Sequence, residues 1–317
     1  MYEDIKEVES KFEIKDFPLN VAIEIGNYCN LNCIMCNNDK LTRKRGFMST
    51  LLYRKIIDEV AQENPYARIW LDFYGEPLLA KYKLYYMIDY AKKKGCKSIN
   101  MNTNAMLLDE EMAEMLLDSG IDFVSVDCFG YSKEVLEKIS GGADRDTVYR
   151  NAEYFLKRKQ ERKAKTNIEI KVIEMEENKD EVQKILDYWR AKSAWTTKRR
   201  LISWGGTRDD LKTKKNIERV ACGNGIGVIA ITWDGNVTNC NMDADASHVF
   251  GNVAEESIKD IWLRRNRELI SKHIEHRWDE LPEICKNCTD WLIIGEERFD
   301  ENGNPVLKNY QHNSEML

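Results

Sequence analysis

Short apolar runs alternate with helical periodicity through the first two-thirds of the chain. Val21-Ala22-Ile23-Glu24-Ile25 predicts a first strand, and Ser49 and Thr50 then cap a helix that buries Leu52, Ile56, Ile57 and Val60. Ile69–Phe73 predicts a second strand, and the Tyr- and Lys-rich helix after it stops at Gly95. Ser98–Thr103 predicts a third strand, followed by a Met/Leu helix through Asp109–Ser119. Phe123–Asp127, Ile168–Ile173 and Leu201–Trp204 predict the fourth, fifth and sixth strands. Alternating β/α units of this kind imply an α/β fold on a parallel sheet, curled but short of a closed eight-unit barrel.

After Gly205-Gly206 the pattern changes. Thr207–Asn216 is polar and linker-like. Ile226–Trp233, Asp234-Gly235 and Asn236–Cys240 predict a β-hairpin, since Asp-Gly suits a tight turn with positive φ. A helix from Ser257 to about Ser271 follows, and the tail from Phe299 is polar and expected to fray. The expected division is a first domain over 1–205 and a smaller one over 206–317.

With 317 residues, 43% hydrophobic and 32% charged, the composition is that of a globular protein. No apolar run approaches the ~20 residues of a membrane span. The N-terminus, Met1-Tyr2-Glu3-Asp4-Ile5-Lys6, lacks the apolar core of a signal peptide, so a cytoplasmic location with reduced thiols is expected. A net charge of −6 argues against a general nucleic-acid binder. The basic runs Lys157-Arg158-Lys159 and Lys198-Arg199-Arg200 read as solvated helix ends.

Candidate chemistry begins just after the first strand, where three thiols occur as Cys29-x3-Cys33-x2-Cys36. Three thiolates on a [4Fe–4S] cluster would leave one iron open to a chelating ligand. The position is also where parallel α/β sheets bind ligands. A zinc site needs four ligands, and the four histidines (His248, His273, His276, His312) all lie far along the chain. A disulfide is the other ordinary role for such thiols.

On these residues the chain resembles the radical S-adenosylmethionine (SAM) superfamily. The resemblance implies a partial (βα)6 barrel and an open iron that binds the amino and carboxylate groups of SAM. Gly75-Glu76-Pro77 looks like the superfamily's Gly-Gly-Glu motif, with Tyr74 in place of the first glycine. Glu76 would then receive the methionyl ammonium, in a turn that lets backbone approach. Met35 matches the apolar position near adenine. Thr103 and Asn104 after strand three, and Ser125 and Asp127 sharing a face of strand four, lie at the same sheet edge. They are candidates for the ribose hydroxyls, the methionyl carboxylate or the substrate, or for ordinary loop hydrogen bonding.

Four further cysteines, Cys222, Cys240, Cys285 and Cys288, could fully ligate a second cluster, or a zinc. Beside the first motif they resemble the SPASM/twitch extension of radical SAM enzymes. The full SPASM pattern carries a further cysteine where this chain has Ile294, so the layout matches the truncated form with one auxiliary cluster. It looks like that of 2-deoxy-scyllo-inosamine dehydrogenase and its relatives.

The implied cofactors are therefore two [4Fe–4S] clusters and SAM, with a reducing partner such as flavodoxin or ferredoxin. The implied reaction is hydrogen-atom abstraction by a 5′-deoxyadenosyl radical. One fate is dehydrogenation of a small polyol, sugar or aminocyclitol, with the auxiliary cluster accepting an electron. Arg200 and Arg208 are the candidates for substrate contact. A second fate is epimerisation, with Cys128 as the hydrogen donor. A third is peptide maturation, and an iron–sulfur electron carrier is the non-enzyme alternative.

Overall fold

The computed structural model describes residues 14–208, 219–292 and the strands Glu297–Phe299 and Pro305–Leu307. The expected linker lies outside the described residues from 209 onward, as does most of the tail beyond Phe299.

The first part alternates strand and helix. In chain order the elements are β1 (Asn20–Ile23), α1 (Thr50–Glu63), β2 (Arg68–Trp70), α2 (Tyr82–Lys93), β3 (Ser98–Thr103) and α3 (Glu110–Ser119). They continue with β4 (Phe123–Asp127), α4 (Lys133–Ile139), α5 (Arg145–Arg162), β5 (Asn167–Glu174), α6 (Val182–Ala191) and β6 (Trp195–Arg200). Local chemistry sets the ends. Ser49 accepts the Leu52 N–H to cap α1, and Asp109 accepts the Met112 N–H to cap α3. Gly95 beyond α2 and Gly120 beyond α3 take positive φ, as helix stops require.

The C-terminal part contributes β7 (Val228–Ile231), β8 (Asn236–Thr238), β9 (Val249–Asn252) and α7 (Ile258–Arg265). Strands β7, β1, β2, β3, β4, β5 and β6 run parallel in that order, and β8 and β9 extend the sheet antiparallel beyond β7. The order ends at β9 and β6, so the sheet is open. Gly235 turns β7 into β8 with φ 94°, as the Asp-Gly pair led one to expect. The first strand of that hairpin does more than form a hairpin, since it pairs residue for residue with β1.

One expected strand is displaced. The apolar run Leu201–Trp204 is irregular, and the sixth strand is the polar segment before it, Trp-Thr-Thr-Lys-Arg-Arg. That strand forms an edge of the sheet, where one side of the backbone has no strand to pair with, so it needs little apolar character.

The two faces of the sheet differ. Helices α1, α2, α3 and α5 pack side by side, and the strands bury Ile69, Ile99, Met101, Val124, Ile168 and Ile170 on the face that meets them. On the other face the Phe123 ring lies edge-on to Trp70 (5.8 Å) and Trp195 (5.6 Å), forming an aromatic floor. Further along the same strands, register and alternation line up Asn102, Ser125 with Asp127, Glu169 with Lys171, and Thr197 with Arg199. Strands covered on both faces are ordinarily apolar on both. The polar belt is a departure that positions a site.

Candidate functional site

The first cysteine set sits on the loop after β1. Asn32–Cys33 pairs antiparallel with Ser140–Gly141, and the Ile34 N–H donates to the Ile139 carbonyl at 2.9 Å. The Cys36 N–H closes a turn onto the Cys33 carbonyl, and the Asn38 N–H donates to Cys36 Sγ at 3.3 Å. Arg208 Nη1 donates to the Ile34 carbonyl at 2.8 Å, so the structure places this residue against the cysteine loop. Met35 packs against Phe129, Ile139 and Met175, while its carbonyl accepts from Trp204 Nε1 at 2.6 Å. Downstream, Arg43 clasps both oxygens of buried Glu24 and donates to the Ala244 carbonyl, tying the loop to the C-terminal part. Burial raises all three thiol pKa values, Cys33 to about 12 and Cys36 to about 11; the charge of neighbouring thiols adds to the rise at Cys33 and Cys36, and that of Glu76 at Cys29. Iron would relieve that cost by taking the thiolates.

Glu76 stands beside this loop. Gly75 before it has φ 142°, and a Cβ there would collide with the Gly26 carbonyl and lie 3.0 Å from that of Tyr28. Only glycine fits so close an approach. The Glu76 N–H donates to the Tyr28 carbonyl. Its carboxylate accepts from Thr103 Oγ1 (2.9 Å), the Asn104 N–H (2.9 Å) and the Leu78 N–H (3.1 Å). Burial nevertheless lifts its pKa to about 7, against those donors. A carboxylate has about four acceptor positions, so one remains for a cationic ligand. Thr103 and Asn104, expected as candidates for direct ligand contact, are placed where they orient Glu76. Asn104 Nδ2 also reaches Asn30 Oδ1 at 3.0 Å.

The polar belt is continuous. Asn102 Nδ2 donates to Asp72 Oδ2 at 2.5 Å and Lys171 Nζ donates to Asn102 Oδ1 at 2.7 Å. Lys171 Nζ also lies 3.0 Å from Asp127 Oδ1 as an ion pair, though without hydrogen-bond alignment. Ser125 Oγ donates to Glu169 Oε2 at 2.6 Å, and Arg199 faces Glu169 at 3.9 Å. Burial raises Asp72 to about 6 and pushes Asp127 up, with Lys171 opposing the rise at both. Among the described residues, buried Asp72 Oδ1 has no hydrogen-bond partner, and buried Asp127 Oδ1 has the Lys171 ion pair in place of one. Asp127 also acts on Cys33, so the belt adjoins the cysteine loop.

Two expected site residues are not brought here. Cys128 alternates away from Asp127 and is buried under Trp189, whose Nε1 donates to its Sγ at 3.4 Å, next to Tyr149. Arg200 falls by alternation on the face of Thr196 and Lys198, and Arg199 is the residue that turns inward. Sequence reading missed Asp72, Asn102, Glu169, Lys171 and Arg199. The available signal was a charge at every second position of an otherwise apolar strand, as in Ile168-Glu169-Ile170-Lys171.

The second cysteine set surrounds a cavity of ≈ 30 Å³ lined also by Arg219, Asn239 and His273. Each sulfur has a donor: the Gly225 N–H to Cys222 (3.4 Å), the Met242 N–H to Cys240 (3.4 Å), Asn239 Nδ2 to Cys285 (2.9 Å) and the Asp290 N–H to Cys288 (3.2 Å). Burial raises every one of these thiols, Cys285 to about 11. A π-helical turn, Asn266–Ile270, follows α7 and carries Leu269 onto the cavity. Asn239 Oδ1, Arg219 Nε and His273 Nδ1 on its lining, and Nη1 of buried Arg265, whose other nitrogens bond the Asn239 and Gly225 carbonyls, have no hydrogen-bond partner among the described residues. Thiols ringed by N–H donors and unpaired cations fit an anionic, thiolate-bound cluster. Among the described residues no three His, Cys, Asp or Glu side chains converge tightly enough for a single ion. A four-iron cluster makes no such demand, because each thiolate takes a different iron.

Among the described residues no helix is long and apolar enough to cross a membrane.

Comparison with known proteins agrees with this geometry. The model of the radical SAM superfamily matches residues 23–189, and that of the SPASM iron-sulfur cluster-binding domain matches 222–289. The S-adenosyl-L-methionine-dependent 2-deoxy-scyllo-inosamine dehydrogenase of Niallia circulans is 24% identical, over 88% of this chain and 96% of that one. The crystal structure of BtrN in complex with AdoMet and 2-DOIA superposes with a TM-score of 0.61 at 22% identity, over 87% of this chain and 94% of that one. Streptococcus suis SuiB bound to precursor peptide SuiA gives a TM-score of 0.64 at 15% identity, over 78% and 65%. The two structural likenesses establish the fold.

Proposed function

Because the chain belongs to the radical SAM superfamily of enzymes and carries a SPASM iron–sulfur domain, we propose that it dehydrogenates a small polyol, sugar or aminocyclitol held on the polar belt. When bound, SAM and the cluster on its loop supply the 5′-deoxyadenosyl radical that removes a hydrogen atom from the carbinol carbon, and the C-terminal cluster supplies an acceptor for the second electron. Cys29, Cys33 and Cys36 would hold the first cluster, Glu76 would take the ammonium of SAM, and Cys222, Cys240, Cys285 and Cys288 would hold the second. A flavodoxin or ferredoxin serves as the reducing partner.

The observation that carries the substrate class is buried Asp72 Oδ1, which accepts no hydrogen bond among the described residues, beside buried Asp127 Oδ1, which faces Lys171 Nζ at 3.0 Å. Buried acceptors of this kind call for hydroxyl or ammonium donors from a ligand. Lys171, already on Asn102 and Asp127, presents a remaining donor to a neighbouring hydroxyl. Asp127 Oδ1 takes the hydroxyl proton as the carbon is oxidised to a ketone, and the Trp70, Phe123 and Trp195 rings line the same face of the sheet. The dehydrogenase relative, similar over most of its length, supports the same class. Peptide maturation is the second reading, favoured by the fold shared with SuiB. The burial of Cys128 behind the sheet does not favour return of hydrogen by a thiol.

The test is anaerobic turnover of reconstituted, reduced protein with SAM and a panel of polyols and aminocyclitols. Ketone formation, with deuterium passing from the carbinol carbon into 5′-deoxyadenosine, is expected. Modification of a peptide, with no small molecule consumed, would refute the reading.

A further inference from the structure

The two cysteine sets lie in opposite electrostatic settings. Carboxylates act on the first: Glu76 on Cys29, Asp127 on Cys33 and Asp39 on Cys36. Arginines act on the second. Arg219 and Arg265 both act on Cys222 and Cys285, and Arg265 also on Cys240. Asp290 is an acid beside Cys288, and its carboxylate is engaged by the Ser203 N–H (2.7 Å), the Ser203 hydroxyl (3.0 Å) and the Gly205 N–H (2.8 Å).

Arg265 is 0% exposed. Its Nε and Nη2 donate to the carbonyls of Asn239 and Gly225, and its Nη1 has no hydrogen-bond partner among the described residues. Its guanidinium lies 5.2 Å over the Trp262 ring, and the thiols of Cys240, Cys285 and Cys222 act on its charge. A guanidinium does not shed its proton, and burying one without an anion is costly. Arg219 lies at the rim, bonded to the Cys285 and Lys286 carbonyls and 5.0 Å over the Trp278 ring.

We propose that Arg265, with Arg219 at the rim, is a built-in counter-charge that raises the reduction potential of the cluster held by Cys222, Cys240, Cys285 and Cys288. This rests on the reading that those four thiols hold a [4Fe–4S] cluster. A cluster bound by four thiolates is an anion and gains one more negative charge on one-electron reduction. A fixed cation therefore stabilises the reduced state more than the oxidised one. The N–H donors at the four sulfurs act in the same direction. Both arginines position charge and touch no substrate.

The experiment is redox potentiometry monitored by electron paramagnetic resonance, in protein carrying alanine at Cys29, Cys33 and Cys36 so that one cluster remains. In that background Arg265→Met should lower the reduced-to-oxidised ratio at least tenfold at the original midpoint, which is about 59 mV for one electron. Arg265→Lys should stay near the original value, and Arg219→Gln should fall in the same direction by less. An intact cluster whose midpoint does not move in Arg265→Met overturns the proposal. If that variant holds no cluster, Arg219→Gln decides, a fall supporting the proposal and no change overturning it. A background protein with no iron–sulfur signal at all overturns the four-thiol assignment and the proposal with it.

Discussion

The Tyr74 and Trp204 rings meet with centroids 5.4 Å apart, and together they span the space between the two cysteine sets. Tyr74 Oη donates to the Met242 carbonyl at 3.4 Å, and the Met242 N–H donates to Cys240 Sγ. At the other end, Trp204 Nε1 donates to the carbonyl of Met35, the residue before Cys36. The position where the superfamily motif has its first glycine is thus filled by a ring that joins the loop to the C-terminal part.

Replacing Trp204 with Phe keeps the ring contact and removes the indole donor. A lost neutral hydrogen bond is worth about 1 kcal/mol, or a melting temperature lower by about 2–4 °C in a large domain. Thermal denaturation of the anaerobic holoprotein should show that loss. An unchanged melting temperature would mean that the bond does not hold the loop.

Glu76→Gln should weaken SAM binding by about 10–100-fold, the worth of a hydrogen bond to a charged group. The pH dependence has a definite sign. With its pKa raised to about 7, Glu76 is neutral below that pH and cannot balance the ammonium of SAM. Affinity should therefore fall on acidification through pH 7, with a proton released on binding near pH 6. Calorimetry in buffers of different ionisation enthalpy reads both effects, and a flat profile would remove Glu76 from the ammonium site.

Asp127→Asn tests the proton acceptor. SAM affinity should hold, while ketone formation drops by about 10²–10⁴-fold, the usual contribution of a general base. Continued 5′-deoxyadenosine release without ketone would be the accompanying sign. A variant with normal ketone output would place proton transfer elsewhere.

Cys128→Ala should leave turnover intact and cost stability alone, about 1–2 kcal/mol for a small buried side chain. Denaturant titration and product assays separate the two effects. A stalled or misprocessed radical would instead restore the thiol to the chemistry and favour epimerisation.

How far the sequence could be read follows from the range of the forces involved. Caps at Ser49 and Asp109, stops at Gly95 and Gly120, and the turn at Gly235 are set within a few residues, and local pattern found the helices and the hairpin they delimit. The cysteine sets were legible because chelation fixes spacing. The polar edge strand Trp195–Arg200 was not, because pairing with β5 defines it and its own hydrophobicity does not. The same misplacement hid that Arg199, and not Arg200, shares a face with Lys171. The belt of Asp72, Asn102, Asp127 and Lys171 joins residues from successive strands, and only register shows that they meet. Arg265 sits on a helix that nothing local links to the cysteines, and the role proposed for it depends on burial.

The proposed chemistry depends most directly on three thiols of one loop. Alanine at Cys29, Cys33 and Cys36 should remove one of two four-iron clusters by iron and sulfide analysis and abolish 5′-deoxyadenosine formation from SAM. Full iron content with undiminished SAM cleavage in that triple variant would contradict it.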